Sequence, residues 1–365
     1  MTISEPAFVL PGDVDDVTVP SGGNIYDRRM IRALAAAGRP VREVAVAGGW
    51  PRPDAAAQDR LARALADLPD DSVVLLDGLV ACGVPEVVVP QAHRLRLAVL
   101  VHLPLADETG LAPEVAADLD ARERETLHAV SVAVATSGWT VRRLVEHHGL
   151  PADRVRAVPP GTDPAPLASG TDGRSRLICV ASMTPRKGQD LLVEALAQIA
   201  DVPWSCAFVG PVRRDPAYAD RVREQIEQHG LGDRLTVMGP RTGADLADTY
   251  ATADFALLPS RAEPYGMVVT EALARGIPVL ATAVDGLPDA LGHAPDGSVP
   301  GLLVPPGDAT ALAEAVRRWL TEPALRDRLR ASARLRRDAL ESWDATAGRL
   351  ADVLAGLRRN SWSAV

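Results

Sequence analysis

The sequence predicts an α/β protein with two domains, each a doubly wound parallel sheet flanked by helices. Three observations predict it. The chain has 365 residues, which suits two cores. Short apolar runs alternate with amphipathic stretches along both halves, the pattern of parallel sheets. A loose polar segment, 164–174, follows Pro159-Pro160-Gly161-Thr162-Asp163 and separates the halves. The expected domains are 1–165 and 166–344, with a tail helix at about 345–365 packing back on the first.

The first half opens with a strand at 7–10. The glycine-rich turn Ser21-Gly22-Gly23-Asn24 follows, then an amphipathic helix over 26–37, ended by Gly38. Strands are expected at 41–47, 73–76, 97–102, 130–136 and 155–158. Helices are expected at 55–66, 117–129 and 140–147. The second half restarts with a strand at 176–181, a turn around Lys187 and a helix over 190–200. Further strands fall at 206–210, 235–238, 255–259, 279–282 and 301–304. Helices alternate with them at 218–229, 245–251, 268–275 and 309–321. The tail, 322–357, reads as helical, with Trp319 and Trp343 as packing residues.

Composition excludes several classes. The hydrophobic fraction of 47% and charged fraction of 24% are those of an ordinary soluble protein. Cys82, Cys179 and Cys206 are widely spaced, with no metal-type spacing, and read as reduced core residues. No secretory leader is expected, since Glu5, Asp13, Asp15 and Asp16 precede the first basic residue, Arg28. No apolar run reaches the roughly 20 residues needed to span a bilayer. The cytoplasm is the expected location. The net charge of -9 is uneven, with -7 in residues 1–165. That acidity argues against nucleic acid and against an anionic membrane surface.

Two segments carry the chemistry. In Glu263-Pro264-Tyr265-Gly266-Met267-Val268-Val269-Thr270-Glu271, a glycine turn joins a strand to a helix between two carboxylates. Such turns bind phosphates and sugars through backbone donors, and the carboxylates can grip hydroxyls. The second segment is Ser182-Met183-Thr184-Pro185-Arg186-Lys187-Gly188. Of the 39 Lys and Arg residues, Lys187 is the sole lysine. It acts as a compact point charge, the form suited to a phosphate. Glu271 also reads as a partner for the helix N-terminus. His102 ends an apolar strand. His147 and His148 read as cations capping a helix C-terminus. Asp77, before Gly78, either faces a cleft or caps a turn.

Together these residues resemble the retaining glycosyltransferases of the GT-B fold, in glycosyltransferase family four. The matching pieces are the lysine-glycine turn, Pro259-Ser260-Arg261 before Glu263-Pro264-Tyr265-Gly266, Glu271-Ala272 with Gly276-Ile277-Pro278-Val279, and Gly301-Leu302-Leu303-Val304-Pro305-Pro306-Gly307-Asp308. In the first half they are Gly22-Gly23 and Leu100-Val101-His102. The resemblance implies two Rossmann-like lobes with a cleft between them. It implies Glu263 and His102 at the donor sugar as catalytic residues, and Glu271 on the ribose hydroxyls. Lys187 would neutralise the diphosphate, with backbone N–H groups of Tyr265, Gly266 and Met267 on sugar and diphosphate. Gly22 and Gly23 would let the first loop approach the phosphates. The family's Gly-Arg-Leu stretch is here Ala181-Ser182-Met183, so Arg186 or the Ser182 hydroxyl takes the place of a second phosphate cation.

The expected activity is retaining transfer of a hexose-type sugar from a UDP- or GDP-linked donor to a hydroxyl of a small-molecule acceptor. The setting is natural-product or glycoconjugate biosynthesis. No metal or other cofactor is implied, because Lys187 and the loop amides stabilise the leaving diphosphate. Retention arises from same-face attack, preferred over a covalent Glu263 intermediate, since a carboxylate committed to sugar hydroxyls is badly aimed. Lobe closure excludes water. The acceptor is expected near residues 23–32, His102 and 104–113. A monomer or homodimer is expected, with no nucleic-acid or membrane partner. The alternatives are a nucleotide-sugar epimerase of the same fold and a non-catalytic nucleotide-sugar-binding partner subunit.

Overall fold

The computed structural model describes residues 5–15 and 21–359. Residues 1–4, 16–20 and 360–365, among them Asp16 and the end of the expected tail helix, lie outside the described residues. The chain forms two compact units. One takes in Met1–Gly161 and Trp343–Val365, the other Thr162–Ser342.

The first unit holds a six-stranded parallel sheet. Its strands are β1 (Ala7–Pro11), β2 (Arg42–Val46), β3 (Val73–Asp77), β4 (Arg96–Val101), β5 (Val132–Ala135) and β6 (Val155–Ala157), ordered β2-β1-β3-β4-β5-β6. The second unit holds another, from β7 (Arg176–Val180), β8 (Ser205–Val209), β9 (Leu235–Gly239), β10 (Phe255–Leu258), β11 (Val279–Thr282) and β12 (Gly301–Val304). Its order is β12-β11-β10-β7-β8-β9. β1, β3, β5, β10 and β11 are buried along their whole length. That explains why they read as continuous apolar runs and not as alternating ones.

Each strand order reverses once, between β1 and β3 in the first sheet and between β7 and β10 in the second. In open α/β sheets ligands bind outside the carboxyl ends of strands at such a reversal. In the first unit this points to the ends of β1 and β3, in the second to the ends of β7 and β10.

Three local expectations change. The helix expected to begin at Tyr26 begins at Gly22 and runs to Ala36. Ser21 caps it, its hydroxyl accepting from Asn24 N at 3.0 Å, so both glycines lie in the first helical turn rather than in a loop. The helix expected from 117 starts at Pro113, where proline costs nothing because that N–H has no partner in the helix. The tail breaks into Pro323–Arg337 and Trp343–Arg359. The three cysteines are free and buried, as expected.

Trp343–Arg359 belongs to the first unit. Its buried residues Ala347, Leu350, Ala351, Leu354 and Leu357 pack with Tyr26, Met30 and Leu34 of the helix Gly22–Ala36. Trp343 meets the Tyr26 ring edge-on at 5.8 Å, and the Tyr26 hydroxyl donates to Val158 O at 2.9 Å. Leu350 is fully buried. Leu350→Ala is expected to destabilise this unit by about 2–5 kcal/mol, read in denaturant melts, as large-to-small core changes do. In the second unit, Trp319 stacks on Phe255 at 4.2 Å and donates to Arg174 O. Among the described residues no helix is long and apolar enough to cross a membrane.

Candidate functional site

In the second unit, two loops leave the sheet at its reversal and are laced together. After β7 the chain turns through Pro185–Lys187, and after β10 it runs from Pro259 to Gly266. Arg261 N donates to Arg186 O at 2.7 Å, and Arg186 Nη1 donates to Ala262 O at 3.0 Å. Gly188 closes the first turn at φ +69, and a Cβ there would stand 2.1 Å from Pro259 O. Only glycine meets both demands.

This lacing brings together Lys187 and Glu263, which are 76 residues apart. The Lys187 ammonium donates to Glu263 Oε2, and Arg186 Nη1 lies 3.7 Å from Glu263 Oε1. All three side chains are at most 15% exposed. Burial alone would push the Glu263 carboxyl up. The charges of Lys187 and Arg186 outweigh it and hold the group below its ordinary value. Burial, with the like charge of Arg186, lowers Lys187, and Glu263 opposes that shift. The result is a partly hidden ionised cluster with one carboxylate between two cations.

A third loop fixes the backbone of Glu263. Glu263 N donates to Asp285 Oδ2 at 2.7 Å, and Gly286 N donates to Glu263 O at 3.0 Å. Asp285 has a left-handed backbone, φ +46, unusual for a residue with a side chain. Gly266 ends the loop at φ +91 and leads into the helix Met267–Leu273.

Glu271 sits at the fifth position of that helix, beyond its first turn, so the expected role as a partner for the helix N-terminus does not hold. Its Oε2 instead accepts from the Tyr250 hydroxyl at 3.0 Å. Tyr250 is fully buried, and the Arg275 guanidinium lies over its ring at 4.5 Å. Burial, then the Glu271 charge, pushes the Tyr250 phenol well up, so it stays a donor. Tyr250→Phe is expected to weaken nucleoside diphosphate binding about two- to tenfold, by calorimetry, since one net hydrogen bond is worth about 0.5–1.5 kcal/mol. Of the Ala181-Ser182-Met183 stretch, Met183 is buried in the core and Ser182 O accepts from Gln189 Nε2.

The first unit gathers a separate group at its own reversal. His102 follows β4, Asp77 ends β3, and Asp27 lies on the helix after β1. His102 Nε2 is 3.0 Å from Asp27 Oδ1 and 3.6 Å from Asp77 Oδ2. Asp77 also caps a short helix, accepting from Leu79 N at 2.6 Å. It therefore caps a turn, one of the two readings that the sequence left open for it, and it also neighbours His102. A Cβ on Gly23 would stand 3.1 Å from His102 Cδ2, so this glycine makes room for the ring. Gly22 is exposed.

His147 and His148 are not simple capping cations. His148 is buried on the Glu123 carboxylate at 3.1 Å, and His147 meets Asp120 at 2.5 Å. Both acids come from the helix Pro113–Ala129, which explains why the helix end alone did not reveal them.

Sequence reasoning did not single out Asp27, Tyr250 or Asp285. Asp27 had a signal, an acid on the stripe formed with Ile31 and Leu34. Asp285-Gly286 is a turn pair. Tyr250 had none, because its partner is 21 residues away on another element.

Comparison with known proteins gives the following. The family described as Glycosyl transferases group 1 matches residues 168–336. D-inositol 3-phosphate glycosyltransferase of Thermomonospora curvata is 32% identical over 295 residues, 74% of this chain and 67% of that protein. That of Kineococcus radiotolerans is 32% identical over 283 residues, 71% of this chain. The match takes in 64% of the Kineococcus protein's own length, just under two thirds of it. Among solved structures, sucrose-phosphate synthase from Thermosynechococcus elongatus superposes with a TM-score of 0.77 at 25% identity, covering 97% of this chain and 99% of that one. Anabaena Alr3699/HepE in complex with UDP and glucose superposes at 0.76 with 17% identity, covering 96% and 100%, a likeness of fold.

Proposed function

We infer the activity from one premise: this chain belongs to the group 1 glycosyl transferases, with the GT-B fold. The proposed reaction moves a hexose-type sugar from a UDP- or GDP-linked donor to a hydroxyl of a small-molecule acceptor, with retention and without a metal. The observation that carries it is the Lys187–Glu263–Arg186 cluster at the reversal of the second sheet. Breaking the sugar–phosphate bond leaves negative charge on the diphosphate. Lys187, and Arg186 beside it, offer positive charge there, and the Tyr265, Gly266 and Met267 amides add donors. Glu271, held by Tyr250, suits the ribose hydroxyls.

The setting of Glu263 supports same-face attack over a covalent intermediate. Two cations lower its basicity, and a less basic carboxylate is a poorer nucleophile. It is well suited to gripping sugar hydroxyls beside the reacting carbon. The leaving phosphate oxygen would then take the acceptor proton.

The relatives' names specify a phosphorylated cyclitol acceptor. We carry over the class, a hydroxyl of a small polar molecule, and not the phosphate. The net charge of -7 over residues 1–165 favours a neutral or cationic acceptor. The test is turnover of UDP-, GDP-, ADP- and TDP-linked hexoses over an acceptor set, with and without chelator, reading anomeric configuration by NMR. Nucleoside diphosphate release with retention, unaffected by chelator, is the expected result. Donor binding with no turnover on any acceptor would favour the partner-subunit reading, for which Ser182 at the family's arginine position is the observation. An inverted product would rule out retention.

A further inference from the structure

We propose that Asp27 and Asp77 are positioning residues that hold His102 as an imidazolium, so that its Nδ1–H serves as a charged hydrogen-bond donor and not as a general base. The proposal deepens the transferase reading above, since it rests on His102 meeting the substrate. It starts from geometry. His102 Nε2 lies 3.0 Å from Asp27 Oδ1 and 3.6 Å from Asp77 Oδ2. An ionised carboxylate only accepts, so Nε2 must carry a hydrogen. Nδ1 is then the nitrogen left to meet a ligand. It is a lone pair in the neutral ring and a donor in the charged one.

Burial decides between the two forms. Asp27 is fully buried and Asp77 is 3% exposed. Asp27 Oδ2 is buried and receives no N–H or O–H among the described residues. Two hidden acids beside one ring need positive charge or a proton. An imidazolium supplies the first. A proton on Asp77, shared toward Asp27, supplies the second and gives the orphan oxygen a donor. The expected shifts agree. Burial pushes against the His102 charge, yet the two carboxylates outweigh it and raise the group above its ordinary value. Burial, then the Asp27 charge, raises Asp77 to about 8.

The other neighbours do not compete. The helix Gly22–Ala36 brings Asp27 and the Tyr26 ring, edge-on to His102 at 5.2 Å. β3 brings Asp77. After β5, Thr136 donates its hydroxyl to His102 O at 3.4 Å and carries no charge. The helix Trp343–Arg359 brings Arg349, whose charge acts on Tyr26. Gly23 supplies the space on the remaining flank. The ring is therefore fixed by an ion pair, an aromatic edge and a missing side chain.

The sign follows from the raised value. The imidazolium persists above the ordinary midpoint of about 6.5. A function that needs Nδ1–H is therefore kept at neutral pH and lost as pH rises through the raised midpoint. The test is nitrogen-15 NMR titration of His102, assigned by difference with His102→Gln, beside the pH profile of kcat/KM. The expected results are a His102 midpoint above 6.5 in the wild type and an alkaline limb of kcat/KM at that same midpoint. Asp27→Asn keeps an acceptor for Nε2 but removes the charge, and should lower both by one pH unit or more. Asp77→Asn resembles the protonated acid and should lower them less. A wild-type midpoint at or below 6.5, or one that Asp27→Asn leaves in place, overturns the proposal. A wild type that turns over no donor overturns the transferase reading instead, while the NMR midpoint still decides the protonation of His102.

Discussion

Glu263→Gln is expected to lower kcat by about a hundredfold or more while nucleoside diphosphate affinity stays within about threefold. Losses of that order follow when one preorganised polar group is removed from a reacting centre. Gln keeps the shape and can still accept from Lys187, so the loops laced through Arg261 N and Arg186 Nη1 should stay in place. What disappears is the negative charge beside the developing positive charge on the sugar ring. Measuring kcat with a saturating donor, and diphosphate binding by calorimetry, separates the two effects. Full activity in this variant would end the mechanistic reading. Loss of diphosphate binding in step with kcat would mean that Glu263 organises the phosphate site and not the sugar.

Lys187→Ala is expected to weaken nucleoside diphosphate binding tenfold or more, because hydrogen bonds to charged groups are worth about 1.5–3 kcal/mol. It also leaves Glu263 buried with Arg186 alone at 3.7 Å, so its carboxyl rises toward the ordinary range. The variant should therefore show a donor-affinity loss and a change in the acid limb of the pH profile. Lys187→Arg should rescue poorly, since the pocket between Glu263 and Arg186 holds a compact ammonium and not a planar fork. Unchanged diphosphate affinity in Lys187→Ala would place the phosphate elsewhere.

The two parallel sheets were legible because buried strands are continuous apolar runs. The expected strands at 279–282 and 301–304 coincide with β11 and β12, and 176–181 and 255–259 overrun β7 and β10 by one residue each. The start of the helix at Gly22 was not legible, because two glycines weigh against helix and only the Ser21 cap tips the balance. Short helices such as Gly78–Ala81 and Leu287–Leu291 are below one and a half turns and show no periodicity. At the candidate site, the residue types were readable but their partners were not. Glu263 and Glu271 were visible as a pair in sequence. In space each answers to a residue elsewhere, Lys187 in one case and Tyr250 in the other. The separations of 76 and 21 residues are set by strand order, which periodicity does not report. Asp27 stands on the buried stripe with Ile31 and Leu34, but that stripe does not report its partner, His102.

The helix Trp343–Arg359 completes the unit that Met1–Gly161 begins. On the ribosome, the second unit, being one unbroken stretch, has all its strands before the first unit has its last helix. The earlier-made half must wait with Tyr26, Met30 and Leu34 uncovered while the later-made half can already close. Synthesis of Trp343–Arg359, not of the first sheet, is then the step that lets the first core finish. A truncation just before Trp343 would leave the second unit whole and the first exposed to proteases.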